Sequence, residues 1–227
     1  MRWAWTGPVD RPADHLLARW AGVGGAQRAS GRRLFQPELA APSGPRMNTA
    51  IALPVLLDEA RFDALLLALY GPQLMPAQRP VLVSQWSKYY FALVWRMVRE
   101  GQPLSAFSAT SVKVDAHGLP VALVAEGVAC QGLQAVMAAH LQPVVARLVV
   151  LGAVPPAVLW GNAGDCLDQA LQGISDNTGL QVLLETPGSP LFAAISQDSA
   201  GRRRRRTCCL SYKVDWVGHC EHCPLLP

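Results

Sequence analysis

No apolar run in this 227-residue sequence reaches the roughly eighteen uninterrupted residues that a membrane-spanning helix requires. Pro, Gly, Arg, Asp or Gln interrupts every such stretch, including residues 141–159. The sequence therefore predicts no transmembrane segment, although it leaves room for peripheral association with the inner membrane. Residues 1–8 also lack the continuous apolar stretch and the small-residue cleavage site of a secretory signal. We expect the protein in the cytoplasm.

Positive charge is scarce outside one short segment. The five residues 202–206 are all arginine, and without them the remaining 15 basic residues are outnumbered by 16 acidic ones. A general affinity for nucleic acid is therefore not expected. The run, which consists of Arg202, Arg203, Arg204, Arg205 and Arg206, has two interpretations. It is either solvated charge on a flexible tether or a cationic patch that attracts an anionic partner.

Hydrophobic periodicity predicts a mostly helical α+β protein with a small antiparallel sheet. Helical patterns cover residues 53–69, about 84–101, 133–151 and 155–174, whereas residues 111–125 read as a β-hairpin and 180–184 as a short strand. Residues 1–46 are rich in Gly, Pro and Arg, which predicts an irregular segment. The chain is thus expected to divide into this segment, a body over 47–200 and a cysteine-bearing segment over 201–227.

Four cysteines near the end of the sequence form the clearest motif: Cys208, Cys209, Cys220 and Cys223. The adjacent pair is separated by ten residues from a Cys-x-x-Cys pair. A chain predicted to stay in a reducing compartment favours metal ligation over disulfides, and four thiolates satisfy a 2Fe-2S cluster with two ligands to each iron. Zinc sites usually use pairs spaced by two to four residues, so the adjacent pair favours iron-sulfur. A zinc site and unligated thiols remain alternatives.

Both adjacent cysteines can be ligands only if the backbone turns sharply there, since neighbouring side chains of an extended strand point to opposite faces. His219 precedes Cys220, and His222 lies between Cys220 and Cys223. With four thiols present, we expect the histidines to form hydrogen bonds near the site or to be exposed to solvent rather than to be ligands. Cys130 and Cys166 stand alone in apolar surroundings, which is typical of buried free thiols.

Several short motifs, together with the cysteine spacing, resemble the FhuF-type siderophore-iron reductases over about residues 47–225. They are Ser84-Gln85-Trp86 with Tyr89-Tyr90, His140-Leu141 with Pro143, Leu159-Trp160-Gly161-Asn162-Ala163, and the four cysteines themselves. Residues 1–46 lie outside the resemblance.

The resemblance implies a cytoplasmic oxidoreductase that reduces ferric siderophores by one electron, with a 2Fe-2S cluster held by the four cysteines. Its expected partners are a ferric siderophore, anionic or of the hydroxamate type, and an electron-donor protein such as a ferredoxin. The arginine run, Trp86, Tyr90, Trp160 and Asn162 are the predicted substrate-binding residues, although helix-spaced aromatics are more often core residues. A structural zinc protein, an electron carrier and a siderophore-binding protein without turnover are the alternative functions.

Overall fold

A computed structural model describes residues 50–226 apart from 173–177, 215 and 216. The chain divides into two compact units, Met1–Arg46 and Met47–Pro227. The predicted irregular segment 1–46 lies outside the described residues. The predicted boundary between residues 200 and 201 stays a prediction.

A small antiparallel sheet forms one side of the second unit, as the sequence predicts. Its strands are β1 (Ile51–Ala52), β2 (Thr110–Val114) and β3 (Pro120–Ala125), in the order β1-β2-β3. The carboxylate of Asp115 accepts hydrogen bonds from the backbone N–H groups of His117 and Leu119, which closes the turn of the predicted hairpin. Together with the helices described below, this sheet confirms the α+β class.

Two helices replace the single one predicted over residues 53–69. Helix α1 (Leu53–Leu56) ends just before Asp58, whose side chain caps the start of α2 (Glu59–Tyr70) by accepting from the N–H of Arg61 at 3.4 Å. An Asp at this position accepts from one of the free N–H groups at the start of a new helix. The apolar pattern continues across residues 57 and 58, so it does not reveal that one helix ends and another begins there.

Helix α3 (Arg79–Arg99) is the long central helix, and it starts a full turn earlier than predicted. Pro80 occupies its first turn, where a missing N–H costs nothing. Trp86, Tyr90 and Trp95 of this helix are fully buried, so its aromatic face belongs to the core.

A continuous helical stretch follows the hairpin: α4 (Gly132–Ala135), a π-helical turn (Val136–Leu141) and α5 (Gln142–Gly152). The sequence predicted a kink or break at Pro143. The helix instead continues through Pro143, and the π-helical turn lies directly before it, where the missing N–H of proline removes a hydrogen bond. By length and composition the stretch could cross a membrane, but half of its most apolar window is buried, and core helices pass the same test. The absence of a transmembrane segment therefore stays a prediction.

Helix α6 (Pro156–Leu171) packs along α3, and the indole N–H of Trp95 donates to the carbonyl of Ala163 at 2.8 Å. Gly161 and Gly164 do not interrupt α6. They let other parts of the chain approach it closely, because a β-carbon at either position would collide with Thr207 or Ala194 respectively.

The last elements differ most from the prediction. Residues 180–184, expected as a strand, lie in helix α7 (Thr178–Glu185), since a short apolar run fits either structure. The arginine run is not a flexible tether: β5 (Arg203–Arg205) pairs antiparallel with β4 (Ile195–Gln197), directly before the cysteine segment.

Candidate metal centre

The cysteine segment folds back on itself so that its four thiols meet. Cys209, Cys220 and Cys223 form one buried cluster, and Cys208 is half-buried at its edge. The neighbouring Cys220 is the largest cause of a lowered pKa at Cys209. Burial raises the pKa of Cys208, and the neighbouring Cys209 and Cys223 raise it further. The structure therefore brings together all four predicted ligands.

A sharp turn follows the adjacent cysteine pair, as the sequence requires. Leu210 adopts a left-handed conformation with φ of 67°, and a short 3-10 turn over Ser211–Lys213 leads the chain away. A left-handed residue without glycine's freedom is uncommon, so the surrounding contacts must hold it in place. The turn allows Cys208 and Cys209 to face one site.

Hydrogen-bond donors surround the sulfur atoms. The backbone N–H of Leu210 donates to Sγ of Cys208 at 3.3 Å, and that of Leu225 donates to Sγ of Cys223 at 3.4 Å. The thiol of Cys209 donates to Oγ of Ser211 at 3.3 Å. Backbone N–H groups that donate to sulfur stabilise thiolates and tune iron-sulfur clusters. Four clustered thiols with such donors fit a 2Fe-2S cluster.

Among the described residues, no group of three or more His, Cys, Asp or Glu side chains has the geometry to hold a single metal ion. Cys209, Cys220 and Cys223 are nevertheless buried together, and Cys208 lies close enough to Cys209 and Cys223 for both to raise its pKa. The fit to a cluster rests on the four thiols and their donors.

Helix α3 holds the cysteine segment by a hydrogen-bond network that the sequence did not predict. Ser84 Oγ and Gln85 Nε2 both donate to the carbonyl of Cys209, at 2.8 and 3.0 Å. The side-chain amide of Asn162 donates at 2.9 Å to Ser84 Oγ and to Ser87 Oγ. Ser84, expected to start a helix, instead lies buried inside one and faces the metal centre.

Most of the arginine side chains are engaged within the protein. Arg202 and Arg204 pair with Asp198, Arg203 pairs with Asp168 and Arg205 pairs with Asp165. Arg204 also donates to the carbonyl of Cys223 at 3.0 Å. These contacts attach the run to the fold, and a role for it in substrate binding stays a prediction.

The other predicted substrate residues lie in different surroundings. Trp86, Tyr90 and Asn162 are completely buried, and the Trp86 and Tyr90 rings stack at 5.6 Å in the core. Trp160 alone of this set is half-buried at a cavity.

That cavity has a volume of about 520 Å³ and lies between the π-helical turn, α6, α7 and the residues after α7. Its lining includes Gln134, Met137, Gln142, Trp160, Thr186 and Ser189. The described lining residues carry no formal charge, and the volume falls in the range typical of small-molecule sites.

The isolated cysteines and the two histidines also have distinct environments. Cys166 is buried, as predicted, and burial raises its thiol pKa to about 12, whereas Cys130 is only half-buried. His219 is exposed and stacks on Tyr212, with 5.7 Å between ring centres. His222 is buried, and its Nδ1 lies 2.8 Å from Oδ1 of Asp165. Neither histidine is placed by these contacts as a ligand.

Two protein-family models match the chain. Residues 205–225 match the FhuF 2Fe-2S C-terminal domain, and residues 111–194 match the family described as Ferric iron reductase FhuF-like transporter. No curated protein matches the sequence.

The C-terminal segment is thus similar to a 2Fe-2S domain, and the cofactor is a 2Fe-2S cluster. This resolves the choice between iron-sulfur and zinc that the cysteine spacing left open. The predicted resemblance to the FhuF-type siderophore-iron reductases is confirmed, and a ferric iron reductase role is supported. The identity of the four ligands stays a prediction.

Proposed function

We propose that the protein is a cytoplasmic ferric-siderophore reductase and that Cys208, Cys209, Cys220 and Cys223 hold its 2Fe-2S cluster. The observation that carries this proposal is the meeting of four thiols from two chain segments inside the matched 2Fe-2S domain. When bound, the cluster supplies one electron at a time. Three thiols are shielded from water, and Cys208 marks the exposed edge of the centre.

One electron is sufficient for iron release. The hard oxygen donors of siderophores hold ferric iron far more tightly than ferrous iron, so reduction loosens the complex without breaking any bond in the ligand. The electron is replaced by a donor protein of the ferredoxin type. The reaction therefore requires a docking place for the chelate close to the exposed edge of the metal centre.

We assign this docking place to the cavity beside Trp160. Gly161, the next residue, lies against the side chain of Thr207, and the hydroxyl of Thr207 donates to the carbonyl of Ala157 at 3.1 Å. Thr207 directly precedes Cys208. The start of α6 thus connects one wall of the cavity to the exposed edge of the centre, and Trp160 is the predicted substrate residue that we assign to this wall.

The charge of the cavity favours hydroxamate siderophores. Three hydroxamate groups neutralise ferric iron, whereas three catecholate dianions leave a strongly anionic complex. The described lining is uncharged. Four arginines of the nearby run are engaged in ion pairs with Asp165, Asp168 and Asp198. A neutral complex loses less hydration on entering such a site than an anionic one.

The test is a single-turnover experiment without oxygen. The protein is reduced with dithionite, freed of excess reductant and mixed with a ferric hydroxamate and a ferrous-specific chelator. The proposal predicts that the visible spectrum of the oxidised cluster returns and that about one ferrous ion is trapped per cluster oxidised. A spectrum that stays reduced, with no ferrous iron trapped, would overturn the proposal.

A further inference from the structure

Asp165 of helix α6 is a buried carboxylate whose two oxygens have different partners. Oδ2 accepts from Nη1 of Arg205 at 2.9 Å, and Oδ1 lies 2.8 Å from Nδ1 of His222. The side chains of all three residues are at least nine-tenths buried. Burying a carboxylate is strongly unfavourable unless it is paired. Burial alone would raise the pKa of Asp165, but the hydrogen bond from His222 and the positive charge of Arg205 reverse the effect and keep it ionised.

The two partners of Asp165 belong to opposite halves of the cysteine motif. Arg205 ends strand β5 and precedes the Cys208–Cys209 pair, whereas His222 lies between Cys220 and Cys223. The backbone N–H of Arg205 also donates to the carbonyl of His222 at 2.9 Å. One carboxylate on the helical body therefore joins the chain before the first cysteine pair to the loop that carries the second.

Asp165 also balances a buried positive charge beside the motif. Arg205 lies three residues before Cys208, its side chain is fully buried, and Asp165 pairs with it at 2.9 Å. Removing the carboxylate would leave the charge of Arg205 without this counter-ion next to the cysteine segment.

We propose that Asp165 is a positioning residue for the 2Fe-2S cluster, which holds both halves of the cysteine motif through Arg205 and His222 and offsets the positive charge of Arg205 beside the motif. The inference rests on the ligand set of the proposed function. It predicts two effects of losing the carboxylate: the cluster is held less firmly, and the reduced form is favoured, because it carries one more negative charge than the oxidised form.

The chain contains a matched control for a merely structural ion pair. Asp168 lies on the same helix and pairs with Arg203 of the same strand, but that pair is more exposed. Among the described residues, Asp168 forms no hydrogen bond or ion pair with His222 or with a cysteine. If the ion pairs only attach β5 to α6, the variants Asp165→Asn and Asp168→Asn should affect the metal centre alike.

The experiment compares these two variants with the wild-type protein, all as full chains purified without oxygen. Iron and acid-labile sulfide per chain, the electron paramagnetic resonance spectrum of the reduced form and the midpoint potential are measured. We expect Asp165→Asn to raise the potential, alter the spectrum and lose the cluster several-fold faster in air. We expect Asp168→Asn to resemble the wild type. A potential and spectrum unchanged in Asp165→Asn, or shifted equally in both variants, would overturn the proposal.

If Asp165→Asn does not fold, a second pair of variants decides. His222→Gln removes one partner of the carboxylate and leaves the Asp165–Arg205 pair, and His219→Gln changes the exposed histidine on the other side of Cys220. An altered spectrum and faster cluster loss in His222→Gln alone would support the proposal, and wild-type behaviour of both would overturn it. None of these readouts uses a ferric chelate. A wild-type protein that holds the cluster but does not reduce siderophores would therefore refute the proposed function and leave this inference standing.

Discussion

Ser84 Oγ donates a 2.8 Å hydrogen bond to the main-chain carbonyl of Cys209, across 125 residues of sequence. The contact joins the N-terminal half of helix α3 to the most deeply buried of the four cysteines. A side chain of the helical body therefore binds the main chain of the cysteine motif directly.

The variant Ser84→Ala should therefore weaken the metal centre. Losing a buried hydrogen bond costs about 1–2 kcal/mol, although Gln85 still donates to the same carbonyl. We expect faster loss of the visible cluster spectrum in mild denaturant. Ser87→Ala is the matched control, because Ser87 is also buried and bonded to Asn162 but donates to Ser84 O instead of a cysteine. Equal cluster loss in both variants would contradict the assigned role.

Replacing single cysteines should distinguish those that bind the cluster from those that do not. We expect Cys208→Ser and Cys223→Ser to lower the iron and sulfide content or to change the spectrum of what remains, because a hydroxyl is a poorer ligand for iron than a thiolate. Cys130→Ser should retain the wild-type content, since Cys130 lies outside the thiol cluster. A Cys208→Ser protein with unchanged metal content and spectrum would remove Cys208 from the ligand set.

Gly161 should tolerate no side chain. A β-carbon there would collide with Oγ1 of Thr207, directly before Cys208, and overpacking of this kind typically costs about 1–3 kcal/mol. Gly161→Ala should lower the melting temperature and the cluster content, and adding Thr207→Ala should partly restore both. Gly179→Ala is the control, because open space surrounds that position. Without rescue by Thr207→Ala, the contact would not be the cause.

The cavity beside Trp160 should determine chelate binding. We expect Trp160→Ala to raise KM for a ferric hydroxamate several-fold while cluster content and midpoint potential stay unchanged. Gln142→Lys places a cation in the uncharged lining, so it should improve the reduction of an anionic catecholate complex relative to a neutral hydroxamate, most clearly at low salt. Unchanged KM values in both variants would place the substrate elsewhere.

His140 should make the stability of the fold depend on pH. It is buried, its Nδ1 lies 2.8 Å from the Ser105 carbonyl and its Nε2 lies 2.7 Å from the Tyr90 hydroxyl. Since the carbonyl can only accept, Nδ1 donates to it, and neutral Nε2 accepts from the hydroxyl. Burial lowers the pKa of His140 from 6.5 to about 4, although the Ser105 carbonyl opposes the shift.

Below pH 6.5 the unfolded chain therefore takes up a proton at His140 that the folded chain does not. The free energy of unfolding should fall by up to about 3 kcal/mol as the pH drops towards 4 and then level off. His140→Gln, which does not titrate, should show a shallower decline in chemical denaturation curves. The same slope in both proteins would show that other groups cause it.

The sequence was most informative where structure depends on neighbouring residues. The alternation around residues 111–125 predicted the hairpin, and the spacing of Cys208, Cys209, Cys220 and Cys223 predicted the four-thiol site. The spacing alone could not choose between iron-sulfur and zinc, because both use Cys-x-x-Cys pairs. The family match supplied that choice.

Contacts between distant residues were not accessible from the sequence. The helical pattern placed Ser84 at the start of a helix, and only the packing of α3 shows that its hydroxyl donates to the carbonyl of Cys209. No motif in the sequence singled out Asp165, although it joins Arg205 to His222. The arginine run resembled a tether because composition does not reveal its pairing with Ile195–Gln197.

The most direct test of the central claim is the steady-state release of ferrous iron from excess ferric hydroxamate, measured without oxygen with an electron-donor system and a ferrous chelator. A reductase should release many ferrous ions per chain, at a rate proportional to the concentration of cluster-loaded protein. The Cys208→Ser variant should be much slower. Release that stops after about one ion per cluster despite available donor, or that is no faster than with the donor system alone, would contradict the account.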